Sequence, residues 1–302
     1  MQKPQTTKDS TNQGSLPIVI AVIGSMMIGL SPIFVRVSEV GPIATAFYRF
    51  FFALPFLWGW MITENSKTGM LTKHPSSLEH YVLLLVAGLL LALDIALWHW
   101  SLGYTTVANA GILNNLTSIF VVIVAWIVLK EEVDKLTIIG IVSAIIGSII
   151  LVGKNFTSGG TGFLGDVLAL FSAVFYTGYI IIVKNLRRYF STPTIMSWGA
   201  LASLYFFSFL AYMSGDVLFP ETAVGWYKLI GLAVVVHICG QGLLAYAIGH
   251  LPASFSGLIL LIGPVTSVGF AWIMFDESMS KMQIFGATIV LVGIVIARNR
   301  KK

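Results

Sequence analysis

Residues 97–151 read LWHWSLGYTTVANAGILNNLTSIFVVIVAWIVLKEEVDKLTIIGIVSAIIGSIIL, and residues 243–297 read LLAYAIGHLPASFSGLILLIGPVTSVGFAWIMFDESMSKMQIFGATIVLVGIVIA. A shift of 146 residues lays one on the other without a gap, and thirteen of the 55 pairs are identical. Leu, Ile and Val always match somewhat between two apolar segments. Gly103/Gly249, Gly111/Gly257, Trp126/Trp272, Glu131/Glu277, Lys135/Lys281, Gly140/Gly286 and Gly147/Gly293 falling in one register is a different matter. It marks an internal repeat.

Outward from this pair the chain is apolar almost throughout. It is 302 residues long, 57% hydrophobic and 10% charged, with a mean hydropathy of +0.88. So little charge cannot coat a water-facing surface, so the expected solvent is lipid. A transmembrane helix needs about 20 apolar residues. Stretches of that kind fall at 17–36, 42–62, 80–101, 107–129, 136–153, 166–186, 194–213, 227–249, 254–275 and 282–298. Their continuous rather than alternating hydrophobicity argues against a membrane β-barrel. The expectation is an all-α membrane protein of ten transmembrane helices, in two five-helix halves at 17–153 and 166–298. A polar tail (1–16), a connecting loop (154–165) and a basic tail (299–302) complete it. Five is odd, so the second half enters the membrane upside down relative to the first. Such inverted repeats are a feature of secondary transporters.

Lys and Arg supply the orientation. With both termini inside, thirteen of them fall on the inner side and four (Arg36, Lys154, Lys228, Lys281) on the outer, leaving Arg49 within a helix. This follows the positive-inside bias. The net charge of +5 is spread between apolar segments rather than gathered in a patch, so it does not point to nucleic acid. The single cysteine, Cys239, excludes an internal disulfide framework. No Walker A, HExxH, CxxC or GxSxG pattern is present, which leaves no ATP-driven step, metal or cofactor within the chain to expect.

The run DIALWHWSLGYTTVANAGILNNLTSIFVVIVAWIVLKEE (Asp94–Glu132) and its counterpart GLLAYAIGHLPASFSGLILLIGPVTSVGFAWIMFDE (Gly242–Glu277) resemble the EamA domain of the drug/metabolite transporter superfamily. The resemblance covers the chain beyond its N-terminal tail. It implies a ten-helix carrier of a bacterial inner membrane, with a central cavity lined by the first four helices of each half. Members move amino acids, sugars, nucleotide-linked compounds, vitamins or drugs, and the resemblance leans towards export.

Ionisable groups in hydrocarbon are costly and face a cavity or a partner. Arg49 and Asp94 each lie about seven residues inside the outer end of their helices, ~11 Å deep at 1.5 Å per residue. They read either as a site, with Arg49 for a carboxylate or phosphate and Asp94 for an amine or a proton, or as a structural ion pair. Trp98 and His99 lie at the outer end of the same helix, and a cavity-facing imidazole would exchange protons near neutrality. His237 and Gln241, four residues apart at mid-helix, share a face. Asn114 and Asn115 point ~100° apart, one for the cavity and one for a neighbouring helix. Tyr176 and Tyr179 offer an aromatic wall. Pro32, Pro55 and Gly263-Pro264 are expected to interrupt their helices. The expected cargo is a small polar metabolite such as an amino acid, with a vitamin or nucleotide-like compound as the alternative. A scaffold or receptor subunit is the competing class. An intramembrane enzyme built on Asp94 and His99 is disfavoured, because those residues diverge by ~140° along the helix.

Overall fold

The computed structural model describes residues 15–67, 75–105, 107–152, 162–215, 217–275 and 280–298. Most of the expected N-terminal tail, much of the 154–165 connection, Glu277 and the 299–302 tail lie outside the described residues. Among those described, the chain is helical and contains no β-strand.

The first half comprises α1 (Leu16–Ile28), α2 (Ser31–Arg36), α3 (Pro42–Lys67), α4 (Leu78–Ser101), α5 (Val107–Asn114), α6 (Thr117–Val128) and α7 (Lys135–Val152). The second comprises α8 (Phe163–Leu186), α9 (Thr192–Ser214), α10 (Ala223–Gly231), a π-helical segment (Leu232–Gln241), α11 (Gly242–His250), α12 (Ala253–Ile259), α13 (Ile262–Phe275) and α14 (Lys281–Arg298). Local chemistry sets the ends. Ser77 Oγ accepts the His80 amide at the start of α4, Pro193 occupies the first turn of α9, and Gly215 closes α9 at φ 68°.

Eight helical segments are long and apolar enough to cross a membrane, and Lys135–Leu151 is a shorter apolar helix. The 26-residue α3 falls outside that set. Arg49, two prolines and its Tyr and Trp residues lower its hydropathy.

Lipid offers no hydrophobic drive between helices, so small residues bring backbones into contact. A Cβ on Gly140 would lie 2.5 Å from the Gly293 carbonyl oxygen, and one on Gly147 2.7 Å from that of Gly286. This seam joins α7 to α14. Gly88 and Gly199 do the same for α4 and α9, where Ser203 Oγ also donates to the Gly88 carbonyl at 2.8 Å. Most of the pairings respect an exchange of the two halves. The contacts α3–α9 and α7–α14 map onto themselves, and α4–α8 maps onto the packing of α1 against the π segment and α11, whereas α6–α12 is one-sided, its image being α5–α13.

The breaks are also partly symmetric. Residues 115–116 separate α5 from α6, and 260–261 separate α12 from α13, within one residue of the 146-residue shift. The expected interruptions occur beside Pro32 and Pro264, and the expectation needs correction at Pro55. Helix α3 runs unbroken through Pro55; a single missing N–H costs one hydrogen bond without ending a helix held on both sides. Pro32 and Pro264 sit in the first turns of α2 and α13, just after breaks at 29–30 and 260–261, where a missing N–H is harmless.

Two carboxylates of the first half cap helices of the second. Glu39, in the turn before α3, accepts the Thr222 amide at 3.1 Å and hydroxyl at 2.7 Å at the start of α10, with Lys228 Nζ at 3.6 Å. The Thr222 hydroxyl, helped by its amide and Lys228, holds this carboxyl below the ordinary Glu value. At the opposite face, Glu131 accepts the Ala253 and Ser254 amides at 2.8 and 3.1 Å and the Ser254 hydroxyl at 2.9 Å, capping α12. Beside it, Lys184 Nζ donates to the Ile248 and Leu251 carbonyls at 2.9 and 2.6 Å. Anion at a helix N-terminus and cation at a C-terminus both match the helix dipoles.

Candidate functional site

Between the halves lies a cavity of about 300 Å³. Its walls come from the α1–α2 break (Gly29, Ser31, Pro32), α3 (Arg49), α4 (Leu91, Asp94, Trp98, His99), the α5–α6 break (Asn114, Asn115, Thr117), α8 (Tyr176), the π segment (Gln241) and the α12–α13 break (Leu260, Leu261, Gly263). The three helix breaks therefore all open onto one space. Backbone groups released there find partners: Ser267 Oγ donates to the Gly29 carbonyl across the cavity rim. By position along their helices, these residues occupy the middle of the bundle and the half nearest the 37–41 turn. In the other half Ser25 Oγ donates to Ile259 O at 2.9 Å, and at the cavity floor Ser118 Oγ donates to Gly257 O at 2.7 Å. Both bonds close the bundle.

Arg49 and Asp94 are 6% and 9% exposed, face the same cavity and form no ion pair with each other. The structural-pair reading of these two residues is thus not realised. Asp94 Oδ1 instead accepts the Ser172 hydroxyl at 2.5 Å, and Ser172 Oγ accepts Asn114 Nδ2 at 2.8 Å. Arg49 Nη1 reaches only Ser31 Oγ, at 3.4 Å, and its Nε has no partner. The site presents a carboxylate anchored from behind and a guanidinium with donors to spare.

Tyr176 Oη lies 3.5 Å from Gln241 Oε1, and its ring stacks on Tyr179 at 5.7 Å. Tyr179 turns away from the cavity towards the Met196 sulfur at 3.9 Å. The two asparagines both border the cavity and both tie to serines on different helices, since Asn115 Nδ2 meets Ser148 Oγ on α7 at 2.6 Å. His99 lies at the cavity edge with Nδ1 unpartnered and also borders a second hollow of about 280 Å³, with Pro42, Trp100 and Met213. Asp94 and His99 thus reach one cavity despite their angular separation, because the space wraps around this end of α4.

His237 does not line the cavity. Its ring packs edge-on against Phe50 at 4.7 Å, and neither ring nitrogen has a partner. Ser31, Ser172 and Ser267 were absent from the sequence reading. Ser172 had a signal, for it stands one helical turn before Tyr176 on the same face. Among the described residues no cluster of His, Cys, Asp or Glu could hold a metal ion.

An all-helical bundle with a charged cavity between two interchangeable halves is the build of a membrane carrier. The chain matches the EamA-like transporter family over residues 15–153 and 163–298, and it belongs to that family. It is a multi-pass membrane protein and a transporter of this kind. An uncharacterized transporter of Archaeoglobus fulgidus is 26% identical over 279 residues, covering 89% of this chain and 92% of that one. The pseudopaline exporter CntI of Pseudomonas aeruginosa is 25% identical over 221 residues, covering 73% and 76%. A solved crystal structure superimposes with a TM-score of 0.78 at 15% identity, covering 94% of this chain and 97% of the other. That likeness shows the fold.

Proposed function

We propose that the protein is a secondary transporter that carries a small polar metabolite with both an acidic and a basic end, an amino acid or a related compound, by alternating access. The observation that supports this most is the pair of opposite buried charges, Arg49 and Asp94, facing one cavity without neutralising each other. A carboxylate fits the open guanidinium, whose planar fork suits bidentate binding, and an ammonium fits Asp94. Trp98 and Tyr176 give apolar wall to the rest of the molecule, while Asn114 and Gln241 offer hydrogen bonds. Likeness to a protein named as an exporter favours outward movement.

In this reading the chain crosses a bacterial plasma membrane ten times, counting α3 and α7, with halves at 17–153 and 166–298 and both termini in the cytoplasm. The distribution of Lys and Arg supports that orientation. The cavity then opens outward, and the Glu131 and Lys184 contacts lie on the cytoplasmic side. Coupling to protons, through Asp94 or His99, belongs to the same proposal.

A thermal-shift screen of the purified protein against amino acids, vitamins, nucleosides and organic cations tests it. An amino acid at 100 times its Kd stabilises the folded state by about 2.7 kcal/mol. That gain is expected to vanish in both Arg49→Ala and Asp94→Asn. Stabilisation only by vitamins or nucleosides would replace the cargo assignment with the alternative.

A further inference from the structure

Two opposite charges in a buried cavity attract each other far more strongly than in water. Arg49 and Asp94 are therefore expected to close on one another, yet they remain unpaired. The cause lies behind Asp94. Ser172 on α8 is fully buried, and its hydroxyl is used in both directions. Asn114 Nδ2 can only donate, so at 2.8 Å it takes a lone pair of Ser172 Oγ. The single Ser172 proton is then committed to Asp94 Oδ1 at 2.5 Å. An ionised carboxylate has nothing to donate, so only this direction satisfies all three groups. The chain ends in a charge-assisted bond, the stronger kind, and its members polarise one another. No comparable hold exists on the other side, where Arg49 has one long hydrogen bond, to Ser31, the Phe50 ring 6.0 Å from its Cζ, and an unpartnered Nε.

We propose that Ser172 is a positioning residue: it holds the Asp94 carboxylate away from Arg49, so that the two charges stay open to separate ends of one solute. This rests on the cargo reading above for its purpose, but not for its geometry. Remove the hydroxyl, and Asp94 loses its competitor and swings to Arg49. The site is then self-neutralised, and the solute must break an ion pair in order to bind.

The decisive experiment is a ligand-free stability cycle in detergent, with Arg49→Met made in the wild-type protein and in Ser172→Ala. A new Arg49–Asp94 pair in Ser172→Ala makes the second loss of melting temperature at least twice the first. Equal losses in the two backgrounds overturn the proposal. Ser172→Ala creates no bulk, and infrared difference spectra against Asp94→Asn supply a second reading. The Asp94 carboxylate band is expected to shift in Ser172→Ala, and an unchanged band overturns the proposal as well. The metabolite screen answers the other question. A coupled cycle with no amino acid raising the melting temperature leaves the role of Ser172 standing and removes the cargo. A flat cycle with amino-acid stabilisation intact removes the role of Ser172 and keeps the cargo.

Discussion

His237 and Arg49 are close together in the bundle, and the contrast between them separates a polar side chain that faces the cavity from one that is merely buried. Arg49 lines the cavity with its guanidinium, although its Nε is buried without a partner. His237 is 1% exposed, rests its ring on Phe50 and leaves both nitrogens without partners. A buried polar atom with no partner costs about 1–3 kcal/mol, and an apolar group of the same shape can be neutral or better. His237→Phe is therefore expected to leave the melting temperature unchanged or higher, with amino-acid stabilisation retained. A drop of several degrees together with lost ligand response would put the imidazole in the transport cycle. Depth and helical phase were enough to read Arg49, Asp94, Trp98, Asn114, Tyr176 and Gln241 from the sequence as one set. They misplaced His237 because it sits in π-helical backbone, where the turn holds about one more residue and a count at 3.6 per turn drifts. Ser172 was passed over for a different reason. Small hydroxyls are common in membrane helices, where many simply bond the carbonyl four residues back, as Thr177 does to Ala173 at 2.8 Å.

At the scale of elements, the glycine register that reveals the repeat is the same register that packs it. Gly140 and Gly147 on α7 lie against Gly293 and Gly286 on α14 so closely that any side chain meets backbone. At Gly147 a Cβ would also lie 2.7 Å from the Val290 amide nitrogen, which has no freedom to move aside. Gly147→Leu should force the two helices apart, at a cost of about 3 kcal/mol or more. The expected signs are a sharply lower unfolding midpoint and loss of monodispersity in detergent; a midpoint within a degree of wild type would contradict the packing. Helix existence and pairing were thus legible from composition and repeat. The break at 260–261 is foreshadowed by Gly263-Pro264, but the one at 115–116 carries no proline or glycine and was not legible. Both persist because the cavity and its polar walls can satisfy the released backbone groups, which is a property of the assembled bundle.

For the whole molecule, the cavity occupies one half of the bundle's depth and the seal the other. Cys239 is the only native cysteine, so a Cys239→Ser background reports cleanly on introduced thiols. Ser267→Cys, on the cavity wall, should react with a membrane-impermeant thiol reagent applied from the face carrying the 37–41 turn. Ser25→Cys, 1% exposed within the seal and bonded to α12 through Ile259, should be protected from both faces until Glu131→Ala removes the cap that holds α12. Equal labelling of both positions from one face would mean that the cavity runs straight through. The seam between α7 and α14 is built differently from the seal. Exchanging the halves carries the Gly140–Gly293 contact onto Gly286–Gly147, so this interface is its own image. Contacts that are not their own image, such as Ser118 with Gly257, would have to break in the proposed alternating-access cycle. The glycine seam has nothing to trade, and in the alternating-access cycle proposed above it would serve as a pivot, a line along which the protein turns itself inside out without letting go.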